Sequence, residues 1–342
     1  MKNYTPFLKT KNYEFKAVKQ LSVDIKENIV PFFDMHKKED EYEIEKYLKD
    51  VETLRTTFSK LGITCFYLDD LDVKTDFLIN GDNPYGYIME KLQNVNFIPV
   101  LGLDRNEERK KIVIEKSKYV QSKLVAVRIN IHDLEIPMLR RQLVNFVSEL
   151  KTVYNEIHLI IDCRYCEDNT IDEFSTIINN FISKDERNFS KIIISGSSIP
   201  LSFSNDVKMH DAKEISRTEI KIWKKCMKSS KLFFGDYTLI SDSYFDKSKK
   251  MYYRTITARV LYSYDDKIVV YRGGRLSKEG HNQYKEICDQ ISKEEFFRGE
   301  KHSEGDFFLA NSKLYPKNIM PGTILAPTIN SHITYMYEDF EL

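Results

Sequence analysis

The sequence lacks any long apolar run, which limits where the protein can reside. No window approaches the ~18 uncharged apolar residues that a membrane-spanning helix needs. The N-terminal stretch MKNYTPFLKTKNYEFK also lacks the continuous apolar segment of a secretory signal peptide. We therefore expect a soluble, cytoplasmic protein with no membrane partner.

An excess of charge of either sign is missing too. Lys plus Arg number 52 and Asp plus Glu number 52, so the formal net charge is zero. No overall field draws such a chain to nucleic acid or to anionic lipid. Since no helix-turn-helix, zinc finger or basic stripe is visible either, the sequence disfavours sequence-specific nucleic-acid binding.

Cysteine and histidine are scarce. The five cysteines are scattered, which suits a reducing compartment, and only Cys163 and Cys166 have CxxC spacing. The seven histidines form no HExxH or HxH pattern, and no G-x-S-x-G elbow is present, which argues against a His-based zinc hydrolase and a Ser-His-Asp hydrolase. The cofactor therefore stays unknown, although grouped carboxylates are compatible with a divalent metal.

What the chain does contain is a regular series of short apolar runs. Most of them lack strict alternation, as strands covered on both faces do. They are separated by helix-period segments, and Ser216 with Glu219 has the capping-box spacing that predicts a helix start. The eight runs, at the spacing of βα units, begin at Tyr4, Asn28, Ile63, Asn96, Leu124, Ile157, Lys191 and Leu232.

Eight βα units in succession predict an α/β fold with a TIM-type (βα)8 barrel over residues 1–241. The alternative is an open doubly wound sheet, which would usually carry a glycine-rich turn where this chain has KTKNYE. Residues 242–342 have a different texture and predict an α+β, mostly β, appendage that packs on or near the barrel mouth. In it we expect a hairpin around Tyr264–Lys267, a helix near 281–292, and further strands at 305–313 and 322–340.

Polar side chains follow every predicted barrel strand. The carboxyl ends of barrel strands converge on one rim, where barrel enzymes hold their active sites. We therefore expect these side chains to lie near one another. They are Lys9, Asp34, Asp69, Asp70, Asp104, Arg128, Asp162, Arg164, Ser195, Ser197 and Asp236.

Two interpretations of this rim stay open. In the first, Asp34, Asp162 and Asp236 act as catalytic acid, base or metal ligands. Cations at Lys9, Arg128 and Arg164 would then hold an anionic, phosphate-bearing substrate. In the second, the same charges neutralise one another in a salt-bridge network that closes the barrel.

The appendage carries a second candidate for anion binding. Tyr271–Arg275 reads YRGGR and places two arginines on flexible backbone beside an aromatic residue, which suits a phosphate or a base. The alternative is a hairpin exit with solvent-facing arginines. His332 lies in a polar stretch that could fold over the barrel mouth or face water.

Taken in order, several short motifs resemble the beta protein family, which is named for a T-even phage protein and occurs in phages and bacteria. They are Tyr4–Lys9 with Glu14 and Ala17, Ile29–Asp34, Phe234–Tyr237, Tyr271–Gly273, Gly305–Asp306 and Ser331–Ile333. The resemblance implies a part in phage–host conflict, because bacterial members tend to be encoded near antiviral or mobile-element genes. The positions that match its pattern are Lys9, Glu14, Asp34, Gly235, Asp236, Tyr237, Arg272 and His332.

From the rim and the resemblance together we predict substrate-binding roles for Lys9, Glu14, Arg128, Arg164, Tyr237, Arg272 and His332. Two functions remain open. One is an enzyme acting on an anionic substrate. The other is a non-catalytic module that senses a ligand or protein and passes the signal to a partner encoded nearby. The sequence leaves a homo-oligomer open as well.

Overall fold

The structure is a computed structural model that describes residues 4–35, 44–71, 78–79, 81–226, 229–243 and 255–341. Eight parallel strands close into a barrel, which confirms the predicted (βα)8 architecture and excludes the open doubly wound sheet. The last barrel strand pairs with both its predecessor and the first strand, which closes the ring. The barrel strands are β1 (Tyr4–Lys9), β2 (Phe32–Asp34), β3 (Phe66–Asp69), β4 (Phe97–Leu101), β5 (Leu124–Asn130), β6 (Glu156–Tyr165), β7 (Lys191–Ser197) and β9 (Leu232–Asp236).

Helices cover the outside of the barrel, and several begin with a recognisable signal. Asn83 and Asn106 cap their helices by accepting a hydrogen bond from a backbone amide, and Pro137 occupies the first turn of another. The helices of this layer are α1 (Asn12–Lys19), α2 (Val23–Asn28), α3 (Ile44–Ser59), α4 (Pro84–Lys91), α5 (Glu107–Glu115), α6 (Pro137–Leu150), α7 (Ile171–Asp185) and α8 (Thr218–Lys225). None of the described helices is both long enough and apolar enough to cross a membrane.

Side chains alternate between the barrel interior and the helical layer. On β5, Val125 and Val127 pack against the helices, whereas Ala126 packs in the interior. The interior is filled by aromatic and branched residues from different strands, including Phe7, Phe32 and Tyr67. This alternation decides which polar residues at the strand ends point into the barrel mouth.

The appendage is built on an antiparallel sheet in which a central strand pairs with one strand on each side. The predicted hairpin is confirmed as β10 (Thr257–Tyr264) and β11 (Lys267–Arg275). Its third strand, β8 (Asp211–Ser216), is a polar and largely exposed edge strand that precedes the last barrel strand in the sequence. The sheet therefore takes strands from both sides of residue 241, and the division into 1–241 and 242–342 stays a prediction.

Helices complete the appendage, and two of them correct the sequence analysis. The helix expected near 281–292 is present as α10 (Gln283–Ile291), preceded by the short α9 (Leu276–Glu279). The strands predicted at 305–313 and 322–340 are wrong, because these segments form α11 (Glu304–Ala310) and α12 (Leu325–Glu338). Every residue from Ala326 to Tyr337 is buried, so α12 shows no amphipathic stripe and its β-branched and aromatic residues imitate a strand.

Candidate anion-binding site between the barrel rim and the appendage

Arg128 lies at the centre of the barrel mouth and contacts four side chains from four other strands or loops. Its guanidinium donates to the carboxylates of Asp34 at 2.7 Å, Asp69 at 2.9 Å and Asp162 at 2.7 Å. It also donates to the Tyr237 hydroxyl at 2.7 Å, which in turn donates to Asp162. We call Arg128, Asp34, Asp69, Asp162 and Tyr237 the Arg128 cluster.

The charges of the Arg128 cluster compensate one another in a buried setting. Asp69 receives a second guanidinium, that of Arg105, at 2.8 Å. Burial alone would raise the pKa of Asp162, but Arg128 and Arg164 hold it below its ordinary value. Burial would likewise lower the pKa of Arg128, yet its anionic neighbours raise it well above the ordinary range. The guanidinium of Arg128 thus occupies the position between the three carboxylates that a metal ion would need.

Asp236 does not join this cluster, which corrects the prediction that it points at the same rim as Asp34 and Asp162. Along β9, Phe234 packs among the outer helices and Tyr237 packs in the barrel interior. Asp236 shares the parity of Phe234, so its side chain faces outward. Gly235, two residues before Tyr237, occupies an inward-facing position. A side chain would clash there, because a Cβ would lie 2.6 Å from the Phe7 ring.

Outward-facing Asp236 forms a separate buried group with the C-terminal helix. It accepts hydrogen bonds from Tyr4 at 2.9 Å and from the Arg217 guanidinium, and His332 Nε2 lies 3.0 Å away. The other ring nitrogen of His332 lies 2.8 Å from the Ser263 hydroxyl on β10. We call Asp236, Tyr4, Arg217, His332 and Ser263 the Asp236 cluster. It joins the barrel to α12 and to the appendage sheet.

Electrostatics in the Asp236 cluster favour the ionised carboxylate. Burial would raise the pKa of Asp236, but His332 and Arg217 lower it to about 2. Burial lowers the pKa of His332, which favours its neutral form. His332, predicted to bind substrate, is 1% exposed and its two ring nitrogens both contact protein groups.

Arg217 is the residue in this cluster that sequence reasoning missed. It is completely buried, and its guanidinium contacts Asp236, Glu219 at 3.1 Å and the sulfur of Met336 at 3.0 Å. The predicted capping box at Ser216 does not form, since α8 begins at Thr218 without a side-chain cap. Glu219 accepts hydrogen bonds from Arg217 and Ser198 instead. No local pattern marks this role, because Asp236 and Met336 lie 19 and 119 residues away in the sequence.

A large cavity opens where the rim faces the appendage, and we call it the interface cavity. Its volume is about 820 Å³. The barrel contributes the β1–α1 loop, the β7–β8 connection and the exit from β9, and the appendage contributes β10, β11, α10 and the start of α12. Three of the predicted substrate-binding residues, Lys9, Glu14 and Arg272, line this cavity together.

Most of the charged side chains that line the interface cavity are basic. Among its described lining residues, the cations are Lys9, Lys11, Arg259, Arg272 and Arg275, and the single carboxylate is Glu14. Burial raises the pKa of Glu14 to about 7 despite the amide hydrogen bond it accepts from Lys9 and the charges of both lysines. Among the described lining residues, cationic side chains therefore outnumber carboxylates by five to one.

Protein contacts hold several of these cations in place. Lys9 Nζ donates to the carbonyl oxygens of Ser241 at 3.2 Å and Ser243 at 2.8 Å, at the exit from β9. Arg272 Nε donates to the Thr257 hydroxyl at 3.2 Å. Arg259 and Arg275 are exposed, and Arg259 stacks on the Phe203 ring at 4.7 Å. The YRGGR arginines thus face a cavity rather than open solvent alone.

Two of the predicted anion-binding cations lie elsewhere. Arg128 belongs to the Arg128 cluster and is not in the cavity lining. Arg164 has a left-handed backbone with φ 54° and an Nε 3.2 Å from Asp162. Its side chain is 34% exposed and lines a smaller neighbouring cavity on the rim. Of the residues predicted to meet at the rim, Arg128, Asp34 and Asp162 lie together in the Arg128 cluster, and Asp236 does not join them. Lys9, Glu14 and Arg272 line the interface cavity, and their substrate-binding roles stay predictions.

Comparisons with known proteins place the chain in one family. The family model described as Beta protein matches residues 4–338, nearly the whole chain, which confirms the resemblance seen in the sequence. No curated protein matches the sequence. One solved structure, a xylose isomerase domain protein from Planctomyces limnophilus, aligns at 11% identity with a TM-score of 0.27. That alignment covers 69% of this chain and 88% of the other.

Proposed function

The chain belongs to the beta protein family, and we propose that it binds an anionic, phosphate-bearing small molecule in the interface cavity. The observation that carries this proposal is that the described lining of a space of about 820 Å³ contains five cations and one carboxylate. Pockets for small molecules typically measure roughly 300–1,000 Å³. Arginines are well suited to such a site, because a guanidinium offers paired donors to phosphate oxygens.

The rest of the cavity lining indicates what else the ligand carries. Apolar side chains from the barrel and the appendage form part of its wall, including Leu201, Phe203, Leu239 and Leu261. A ligand with a phosphate at one end and an apolar or aromatic body at the other would satisfy both kinds of surface. Nucleotides have this composition, and they are the first class to test.

The test is calorimetric titration of the purified protein with inorganic pyrophosphate and with nucleoside mono-, di- and triphosphates. The informative variant is the double substitution Arg259→Gln/Arg275→Gln, since both side chains are exposed and line the cavity. We expect it to bind the tightest ligand at least ~10-fold more weakly, which corresponds to about 1.4 kcal/mol.

Lys278→Gln is the matched control, because Lys278 is an exposed cation close in sequence that does not line the cavity. We expect it to bind like the wild type. Equal affinities of the wild type and the double variant would contradict the proposal, as would a complete failure of the wild type to bind any of these phosphates.

A non-catalytic sensor is the second candidate, favoured by the chemistry of two buried carboxylates, Asp162 at the rim and Asp236 behind it. General acid–base catalysis works best with a pKa near the working pH. Arg128 and His332, with their neighbours, instead hold the pKa values of Asp162 and Asp236 below the ordinary range despite burial. A module that binds a phosphate compound and signals to a partner protein needs no such group. Ligand turnover by the purified protein would contradict this candidate.

The biological part of the proposal is a role in phage–host conflict, and its support is the family resemblance. If ligand binding serves that role, cells that express the wild-type protein should resist a phage that infects cells with the double variant. Plaque counts on matched strains measure this. Equal protection by the two proteins would show that phage resistance does not depend on these arginines of the interface cavity.

A further inference from the structure

A second cavity lies on the rim beside the interface cavity, and we call it the rim cavity. Its volume is about 360 Å³, and its walls come from the end of β6, from Phe174 on α7, and from residues at or after the ends of β5, β7 and β9. The polar groups facing it include Asn130, His132, Arg164 and Ser241. In a barrel of this type, the loops after the strands are where functional groups from different strands meet.

His132 in this wall also belongs to a set of three residues whose ligand atoms lie close together. His132 and Glu135 lie on the 3-10 helix Ile131–Glu135 that follows β5, and Glu173 lies in the first turn of α7. One imidazole nitrogen and one carboxylate oxygen from each glutamate all lie within 4.8 Å of one another. Ligands at ~2.1 Å from one ion are about 3–4 Å apart, so small rotations of these exposed side chains complete the geometry.

Two neighbouring groups position His132 at the start of the 3-10 helix. The His132 ring packs edge-on against Phe174, the neighbour of Glu173, with centroids 5.3 Å apart. The amide of His132 donates to the Asn130 side chain at 3.0 Å, which fixes the start of the 3-10 helix. Neither contact uses an imidazole nitrogen or a carboxylate oxygen, which are the atoms that would bind a metal ion.

We propose that His132, Glu135 and Glu173 bind one divalent transition-metal ion at the edge of the rim cavity. One nitrogen and two carboxylate oxygens suit Zn²⁺, Mn²⁺ or Co²⁺. Three protein ligands leave a coordination position open, as in catalytic rather than purely structural zinc sites. His132 belongs to both the ligand set and the cavity wall, so the open position faces a space that Arg164 also lines. An anionic group that binds both the ion and Arg164 would occupy this coordination position.

This site is independent of the anion site in the interface cavity, since none of its three ligands lines that cavity. The test uses chelator-treated full-length protein titrated with Zn²⁺ by calorimetry, with Co²⁺ as a second probe whose visible absorption reports coordination by the protein. The variants are His132→Ala and Glu173→Gln, both at exposed positions where loss of folding is not expected.

We expect the wild type to bind one equivalent of each metal. Each variant should lose at least ~10-fold in affinity, a loss that even outer-shell changes cause at metal sites. The control is His210→Ala, since His210 is an exposed histidine 3.3 Å from a single carboxylate, Glu279, and should not contribute. The proposal is overturned if the wild type binds neither metal, or if His132→Ala and the wild type bind equally.

Discussion

The Arg128 cluster and the interface cavity both lie at the carboxyl ends of the barrel strands and both concentrate charge, yet they differ in compensation. In the Arg128 cluster, three carboxylates surround one buried guanidinium and Arg105 adds a second. In the interface cavity, five cations line the wall with one carboxylate. The pKa values of the two regions differ as well: burial raises that of Glu14 to about 7 despite its lysine neighbours, whereas Arg128 and Arg164 outweigh burial and lower that of Asp162. Charged side chains therefore mark the rim, and their surroundings differ between the two regions: carboxylates surround Arg128, whereas cations predominate among the charged residues in the described lining of the interface cavity.

The largest effect should come from removing the central cation of the Arg128 cluster. Arg128→Met leaves Asp34 without the guanidinium that it contacts and weakens the pairing of Asp69 and Asp162. Breaking a buried ion pair on one side typically costs about 3–5 kcal/mol. Urea denaturation measures the free energy of unfolding. A loss of under about 1 kcal/mol would show that the cluster does not stabilise the barrel.

Glu14 should make stability fall as the pH rises. Burial raises its pKa from 4.5 to about 7 in the folded protein, so its contribution is complete below pH 4.5 and is lost as the pH rises to 7. The shift corresponds to about 3 kcal/mol. Urea denaturation between pH 5 and pH 8 should show Glu14→Gln gaining stability relative to the wild type toward pH 8. If the stability of the two proteins changes with pH in parallel, the pKa of Glu14 is not raised in the folded protein.

Asp236 should show the opposite dependence at lower pH and with a smaller amplitude. His332 and Arg217 overcome the effect of burial and lower its pKa from 3.8 to about 2. Its contribution, about 2 kcal/mol, is therefore present above pH 3.8 and lost as the pH falls through 2. The stability advantage of the wild type over Asp236→Asn should shrink below pH 4. An advantage that stays constant down to pH 2 would argue against an ionised Asp236 in the fold.

The smallest effect on stability should come from the exposed arginines of the interface cavity. Arg275 is exposed, and surface substitutions usually change the free energy of unfolding by less than about 0.5 kcal/mol. We expect Arg275→Gln to keep the wild-type unfolding midpoint in urea while it weakens phosphate binding. A stability loss comparable to that of Arg128→Met would remove the distinction between the two regions.

The barrel was predictable from sequence because its signal is local. Apolar runs such as the one ending at Asp236 fix strands, and the spacing of eight runs fixes their number. Period-two alternation along β9 also places Asp236 and Tyr237 on opposite faces, although the sequence interpretation put both at one rim. The alternation of side chains along a strand therefore predicts from sequence alone that Asp236 faces away from Tyr237.

Other features were not predictable because their signal is not local. α12 is buried on all sides, so its composition resembles a strand, and β8 is a polar edge strand without an apolar run. Arg217 lies in a polar stretch, and its partners Asp236 and Met336 come from distant segments. The interface cavity depends on the meeting of the β1–α1 loop with β10 and β11, which only the folded chain reveals.

A crystal structure of the protein with its tightest-binding phosphate compound would test the central claim most directly. We expect the phosphate to lie in the interface cavity, in contact with Arg272 or Arg275 and close to Lys9 or Lys11. The Arg128 cluster should keep the ion pairs that it has without ligand. A phosphate bound to Arg128 in place of Asp34 or Asp162 would contradict the account.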